Sequence, residues 1–198
     1  GLIISMDSWM LRAACLQAKR WQQMKAGERP LFININLSPR RAAQPGLLFE
    51  IEEVLTQTGL DSNSVVLEFT ESALSDNPES VGRQMDRINA LGVHLVIDDF
   101  GTGYSSLERL LSYPIEGVKI AGAFMPFLGK ETRQGKLVPT ILGMARAMGL
   151  NVTAEGVETE SQLTFLKEMG CDYIQGFYLS KYLFPEEATA LLYRDERW

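Results

Sequence analysis

Asp98 and Asp99 stand side by side where the apolar run VHLVI (93–97) gives way to FGTGYSS (100–106). Two neighbouring carboxylates repel each other, and burying them is costly unless a cation or several donors compensate. Taken alone, the pair fits a plain strand-to-turn transition equally well. The remaining strand-like segments decide between the two. FININ (32–36) ends in Asn36, VVLEF (65–69) carries Glu68, GVKIA (117–121) holds Lys119, NVTAE (151–155) ends in Glu155, and YIQG (173–176) contains Gln175. Each apolar run thus places a polar or ionisable side chain at or near its C-terminal end. If the strands are parallel, these groups gather on one rim, the edge where (β/α)₈ barrels build their sites.

The chemistry of such a rim follows from its donor atoms. Carboxylates and an amide oxygen, without thiol or imidazole, suit hard cations such as Mg²⁺, Mn²⁺ or Ca²⁺. Adjacent aspartates suit two neighbouring cations, which together clamp the attacking and leaving oxygens of a phosphoester displacement. Lys119 supplies a point charge for a phosphate oxygen or for the attacking water; an internal salt bridge is the plainer role for it. A second enzymatic reading, proton abstraction by Lys119 beside one Mg²⁺, competes with the first. The paired aspartates favour phosphoester hydrolysis.

Composition narrows the field further. The chain has 198 residues, 45% hydrophobic and 22% charged, as expected of one ordinary globular domain. A net charge of −6 disfavours a general surface for nucleic-acid polymers. No apolar run reaches the length of a membrane span, and no signal peptide is evident. The single histidine, His94, excludes an imidazole zinc site and weakens any Ser-His-Asp arrangement; a packed or turn-facing role is expected for it. Cys15 and Cys171 form no CxxC pair and are expected as buried free thiols, Cys15 within the helical series Leu11, Ala14, Cys15, Ala18.

The elements that must position these groups alternate. Helical periodicity covers 6–24, and the strands above are separated by helices at 47–59, 79–91, 134–148 and 159–169. A short helix follows the glycine loop, and a terminal helix begins near Pro185. GKETRQGK (129–136) reads as a polar loop. Such alternation implies α/β architecture with a parallel sheet and crossover helices.

NLSPR (36–40), LEFTES (67–72), DDFGTGYSSL (98–107), VKI (118–120), AEGVET (154–159) and QGF (175–177) occur in the order and spacing of EAL domains, and the whole chain resembles that family. The resemblance implies a TIM-like (β/α)₈ barrel and metal-dependent opening of cyclic di-GMP to linear pGpG by a bacterial, cytoplasmic protein. By the same resemblance, Asn36, Glu68 and Asp98 hold one Mg²⁺ or Mn²⁺, with Ca²⁺ inhibitory. Asp98, Asp99 and Glu155 hold the second, Asp98 bridging. Lys119 and Gln175 tend the attacking water together with Glu155. Asn36, Asp99 and Glu158 lie toward the ligand, and Glu71 braces the 100–106 loop. A homodimer and an upstream sensory or GGDEF domain are also implied.

Two departures from the family set further expectations. The chain opens on Gly1 and carries no Glu-Ala-Leu motif, so residues 1–198 are expected to form an EAL domain without its first two strands. Where the family reads Lys-Ile-Asp, this chain reads Lys119-Ile120-Ala121. Strand alternation puts residues 119 and 121 on one face, so a carboxylate beside the lysine is missing. A degenerate domain that binds cyclic di-GMP as a sensor without cleaving it is the alternative. A partner-binding scaffold without nucleotide is the third reading.

Overall fold

The computed structural model describes residues 2–24, 31–76, 78–103 and 107–194. They form two compact units, Gly1–Glu116 and Gly117–Trp198.

The first unit is built on strands β1 (Ile33–Leu37), β2 (Val65–Thr70) and β3 (His94–Phe100), all parallel. β1 alternates buried Ile35 and Leu37 with exposed Asn34 and Asn36, which marks an outer strand with one wet face. β2 runs between its neighbours and is buried almost throughout. Helix α1 (Leu2–Met24) packs on β1 and on a later helix through Asp7, Leu11, Cys15 and Ala18, whose spacing draws one stripe along a helix. After the short α2 (Pro39–Ala42) comes α3 (Leu47–Thr58), which buries Leu47, Leu48, Ile51 and Val54. α3 ends at Gly59 in the left-handed region (φ 62°), and Lys19 Nζ donates to the Gly59 carbonyl at 2.5 Å. A 3₁₀ turn (Ser62–Ser64) leads into β2; α4 (Glu71–Asp76) and α5 (Pro78–Asn89) follow it, and α6 (Leu107–Ser112) comes after β3.

The second unit repeats the plan with β4 (Gly117–Ile120), β5 (Asn151–Ala154) and β6 (Tyr173–Ile174), again parallel. A 3₁₀ segment (Gly122–Phe127) follows β4, and α7 (Leu137–Ala147) packs across β4 and β5 through Val138, Ile141, Leu142 and Ala145. α8 (Glu160–Glu168) opens with a capping box in which Thr159 and Gln162 satisfy each other's backbone N–H groups. α9 (Pro185–Arg194) closes the described chain. Residues 129–136 are loop, with a turn in which Gly135 N–H donates to Thr132 Oγ1 at 3.0 Å.

The strand and helix order matches the alternation read from the sequence. Two details differ. β3 continues through Asp98 and Asp99 to Phe100, because buried Phe100 anchors one more step of strand. Glu68 is the fourth of six residues in β2 rather than its end. Both cysteines are free; Cys15 is buried as expected, but Cys171 is only half-buried. Among the described residues, no helix is long and apolar enough to cross a membrane.

Candidate functional site

In the first unit the pleat decides which side chains meet. The register pairs Asn36 with Glu68 and Thr70 with Asp98, so side chains two residues apart along each strand share a face. Glu68 is 2% exposed. Its Oε1 accepts from Asn34 Nδ2 at 2.7 Å. The end of the Asn36 amide lies 2.9 Å from Glu68 Oε2 and 3.1 Å from Asp98 Oδ2, and with its nitrogen inward it donates to both. Turned over, the same amide brings its oxygen to the two carboxylate oxygens, and three oxygens then face one point. Only a cation makes that second orientation favourable, and an amide needs just one rotation to pass between the two. Asn36, Glu68 and Asp98 are therefore brought together.

Asp99 sits beside them with its backbone at φ 54°, the one non-glycine residue with positive φ among those described. Asparagine and aspartate tolerate that region better than other residues. The Asp99 N–H donates to Asp98 Oδ1 at 2.9 Å, and the Asp99 carbonyl accepts from Thr102 Oγ1 at 2.8 Å. The kink leaves the Asp99 side chain exposed while Asp98 remains half-buried. Despite the kink and the difference in exposure, Asp98 and Asp99 each bring a carboxylate oxygen within 4.8 Å of the other.

Glu71, 3% exposed, accepts from the N–H groups of Gly101 and Gly103 through one oxygen, Oε2, at 3.0 Å each. A Cβ on Gly103 would lie 3.0 Å from the Glu71 carboxyl carbon, so the loop approaches as closely as it does only with glycine there. The bracing expected of Glu71 extends in the sequence to Tyr104, Ser105 and Ser106, which lie outside the described residues.

In the second unit Lys119, 4% exposed, pairs with Glu155 at 2.6 Å. Glu155 is placed by its own backbone: its N–H donates to the Ile120 carbonyl at 3.1 Å, one step beyond the β4–β5 ladder. Ala121 lies just past β4, extended and buried. Gln175 is exposed, and its backbone bridges Ala154 and Val157. Glu158 is also exposed and precedes the helix cap, its N–H donating to Gln162 Oε1 at 2.8 Å. The glycines of AEGVET and QGF have a steric reason. A Cβ on Gly156 would come within 3.0 Å of Gly122 Cα, and one on Gly176 within 2.1 Å of the Val157 carbonyl oxygen.

Sequence reasoning missed Asn34, although alternation from Asn36 puts it on the same face of FININ. It also missed a buried polar group formed by Asp7, Ser38, Arg41 and Glu50. Ser38 donates to Asp7 and caps α2 by accepting from the Arg41 N–H at 3.2 Å, while Arg41 pairs with Glu50. Burial pushes the Arg41 guanidinium below its usual range, and Asp7 partly restores it. The serine of NLSPR therefore has a structural task. A charged residue in the buried stripe of α1 was the available signal. His94 is neither catalytic nor a ligand in this arrangement: Nδ1 meets Glu116 Oε1 at 2.5 Å, and the Phe32 ring stands edge-on at 5.8 Å.

The EAL domain family matches residues 1–182. The chain is 37% identical over 181 residues to the cyclic di-GMP phosphodiesterase NbdA of Pseudomonas aeruginosa, a match covering 91% of this chain and 23% of that protein. It is 35% identical over 190 residues to the bifunctional diguanylate cyclase/cyclic di-GMP phosphodiesterase MucR of the same organism, covering 96% and 27% respectively. A solved structure described as PaMucR phosphodiesterase, c-di-GMP complex, matches with a TM-score of 0.89 and 34% identity over 95% of this chain and 75% of that one. The chain thus spans about a quarter of these curated relatives. Its fold is a TIM-like barrel of EAL type that is incomplete here, with six parallel strands among the described residues. By the extent of that match and by its motifs, this chain belongs to the EAL domain family.

Proposed function

We propose that the chain is the cyclic di-GMP-handling module of its parent protein and that the intact protein hydrolyses cyclic di-GMP to linear pGpG. The observation that carries this reading is the set of oxygens converging from Asn36, Glu68 and Asp98, in a family whose relatives include named cyclic di-GMP phosphodiesterases. The metal-holding side chains in this reading are Asn36, Glu68, Asp98 and Asp99 in the first unit and Glu155 in the second. Their donor set fits Mg²⁺ or Mn²⁺: a buried carboxylate, a half-buried one and a rotatable amide, with no soft ligand. Bound divalent cations would stabilise charge on the attacking and leaving oxygens of an in-line displacement at phosphorus.

The protein's own groups do the rest. Asn36 turns its carbonyl oxygen inward. Lys119 keeps a positive charge at Nζ, oriented by Glu155 at 2.6 Å, for a phosphoryl oxygen or the incoming water. Gln175 offers an exposed amide to the same network, and Glu158 an exposed carboxylate toward the ligand. Water adds at phosphorus and the P–O3′ bond breaks; of the water's two protons one ends on O3′, which leaves as a hydroxyl, and the other passes to solvent from the new phosphomonoester. A cytoplasmic homodimer with a sensory or GGDEF domain upstream belongs to the same proposal.

Ala121 favours a second reading, in which the domain binds cyclic di-GMP as a sensor without cleaving it. A buried methyl stands where a carboxylate would assist Lys119. Losing one positioned group costs on the order of 10²–10³-fold in rate. The full-length protein incubated with cyclic di-GMP and Mn²⁺ distinguishes the two. Hydrolysis predicts chromatographic pGpG that Asp98→Ala abolishes. The sensor reading predicts calorimetric binding without pGpG, and recovered turnover in Ala121→Asp. Absence of both binding and turnover would reject both readings.

A further inference from the structure

Asn34 does not face Glu68 by strand pairing. The register sets Asn34 opposite Val66 and Asn36 opposite Glu68, so Asn34 reaches diagonally along the sheet to Oε1 at 2.7 Å. It does so from an exposed position on an outer strand, onto a carboxylate that is itself almost fully buried. The two oxygens of Glu68 are thereby distinguished. Oε1 is engaged by a neutral donor, while Oε2 turns to the point shared with the Asn36 amide and Asp98 Oδ2.

We propose that Asn34 is a positioning and specificity-determining residue, which restricts Glu68 to one-oxygen ligation and so sets which divalent cation the site prefers. This rests on the metal-dependent reading of the site given above. Mg²⁺ and Mn²⁺ take six ligands in near-octahedral geometry, and a single carboxylate oxygen per ligand suits them. Ca²⁺ takes six to eight and readily accepts both oxygens of one carboxylate. A donor fixed on Oε1 opposes the bidentate mode, since that oxygen would have to rotate away from Asn34 to reach the cation. The restriction therefore works against the larger ion.

The test measures cation affinity in the full-length protein by calorimetry with Mn²⁺ and Ca²⁺ separately. Asn34→Val keeps strand propensity at an exposed position and removes the donor; Asn34→Ala serves as a second variant should the first fail to fold. Outer-shell hydrogen bonds to a metal ligand commonly carry about 10–100-fold in affinity, so Mn²⁺ binding should weaken about tenfold. Ca²⁺ binding should hold within about twofold, because a second oxygen compensates, and the preference narrows about fivefold or more. Asn34→Gln, which retains an amide donor, should recover part of the preference. A merely structural role would lower both affinities together or neither. Glu68→Gln is the reference. If it abolishes binding of both cations while Asn34→Val leaves their ratio unchanged, the role of Asn34 is refuted and the metal site stands. If Glu68→Gln changes neither affinity, the metal site itself is refuted and the role of Asn34 with it.

Discussion

Glu68 and Glu71 lie three residues apart and are equally buried, yet they are held in different ways. Glu71 accepts two backbone N–H groups, from Gly101 and Gly103, through one oxygen. Those donors belong to the main chain and cannot turn away. Glu68 is held by the side-chain amides of Asn34 and Asn36, and the Asn36 amide can rotate to present oxygen instead of nitrogen. Burial alone does not separate a functional carboxylate from a structural one. The kind of donor does, because a main-chain clamp fixes a loop whereas an amide that can turn accommodates a guest.

The sharpest way to break this comparison is to neutralise each acid in turn. Glu68→Gln should abolish pGpG formation, by about 10³-fold or more, as expected when a buried ligand of the reacting centre is removed. Its unfolding free energy should change by less than about 1 kcal/mol, since the amide preserves shape and offers a donor of its own. Glu71→Ala should behave in the opposite sense. The two amides it releases are in an exposed loop, where water replaces part of the lost bonding, so the cost is about 2 kcal/mol by urea unfolding. Hydrogen exchange should rise at the Gly101 and Gly103 amides. If Glu68→Gln unfolds the domain while Glu71→Ala only slows it, the assignment of roles is reversed.

A third buried acidic group sharpens the contrast by having no need of donors. The Cys15 thiol lies within the buried stripe of α1, and desolvation pushes it up to about 11 from its ordinary 9.0. Because the folded thiol gives up its proton less readily than the unfolded one, its contribution to stability is complete below pH 9. It is lost progressively as pH rises toward 11. By pH 10 the loss relative to pH 8 should be about 1.4 kcal/mol, one pKa unit of linkage. The difference between wild type and Cys15→Ala in urea unfolding across pH 8–10 isolates that term from other titrations. A pH-independent difference would show that the thiol is hydrated in the folded state.

The fold was legible because its strands are apolar runs and its helices carry stripes of the right period. The short elements were not: α2 and α4, of four and six residues, are too brief to show a period. The site was legible as residue types on one strand face, including Asn36, Glu68, Asp98, Lys119 and Glu155. What the alternation also implied for Asn34 was visible in FININ, but only the diagonal contact to Glu68 distinguishes it from a solvent-facing asparagine. The Asp7–Ser38–Arg41 group joins α1 to the start of α2, a distance in sequence that no local pattern spans. Asp98 and Asp99 were legible as a pair, and their carboxylate oxygens do come within 4.8 Å of one another, but the positive φ at Asp99 that goes with it was not readable from the sequence.

The smallest expected effect concerns Gly103, and it tests the clamp most directly. Gly101, at φ 95°, occupies backbone space that an L side chain rarely adopts, so its substitution would confound strain with contact. Gly103 is not among the positive-φ glycines; what a methyl group meets there is the Glu71 carboxylate, at 3.0 Å from its carbon and 3.1 Å from Oε1. That carboxylate cannot swing aside without giving up its two amide donors. Replacing glycine by alanine at compatible backbone normally stabilises by about 0.4–1 kcal/mol, through the unfolded chain. Here the contact should outweigh that gain and leave Gly103→Ala less stable by about 1 kcal/mol. The double mutant decides whether the contact is the cause. In a Glu71→Ala background the obstruction is gone, so Gly103→Ala should become neutral or stabilising by about 0.5 kcal/mol, a coupling of roughly 1.5 kcal/mol. Additive single-mutant effects would mean that Glu71 and the loop do not act as one rigid piece, and the distinction drawn between Glu71 and Glu68 would lose its physical basis.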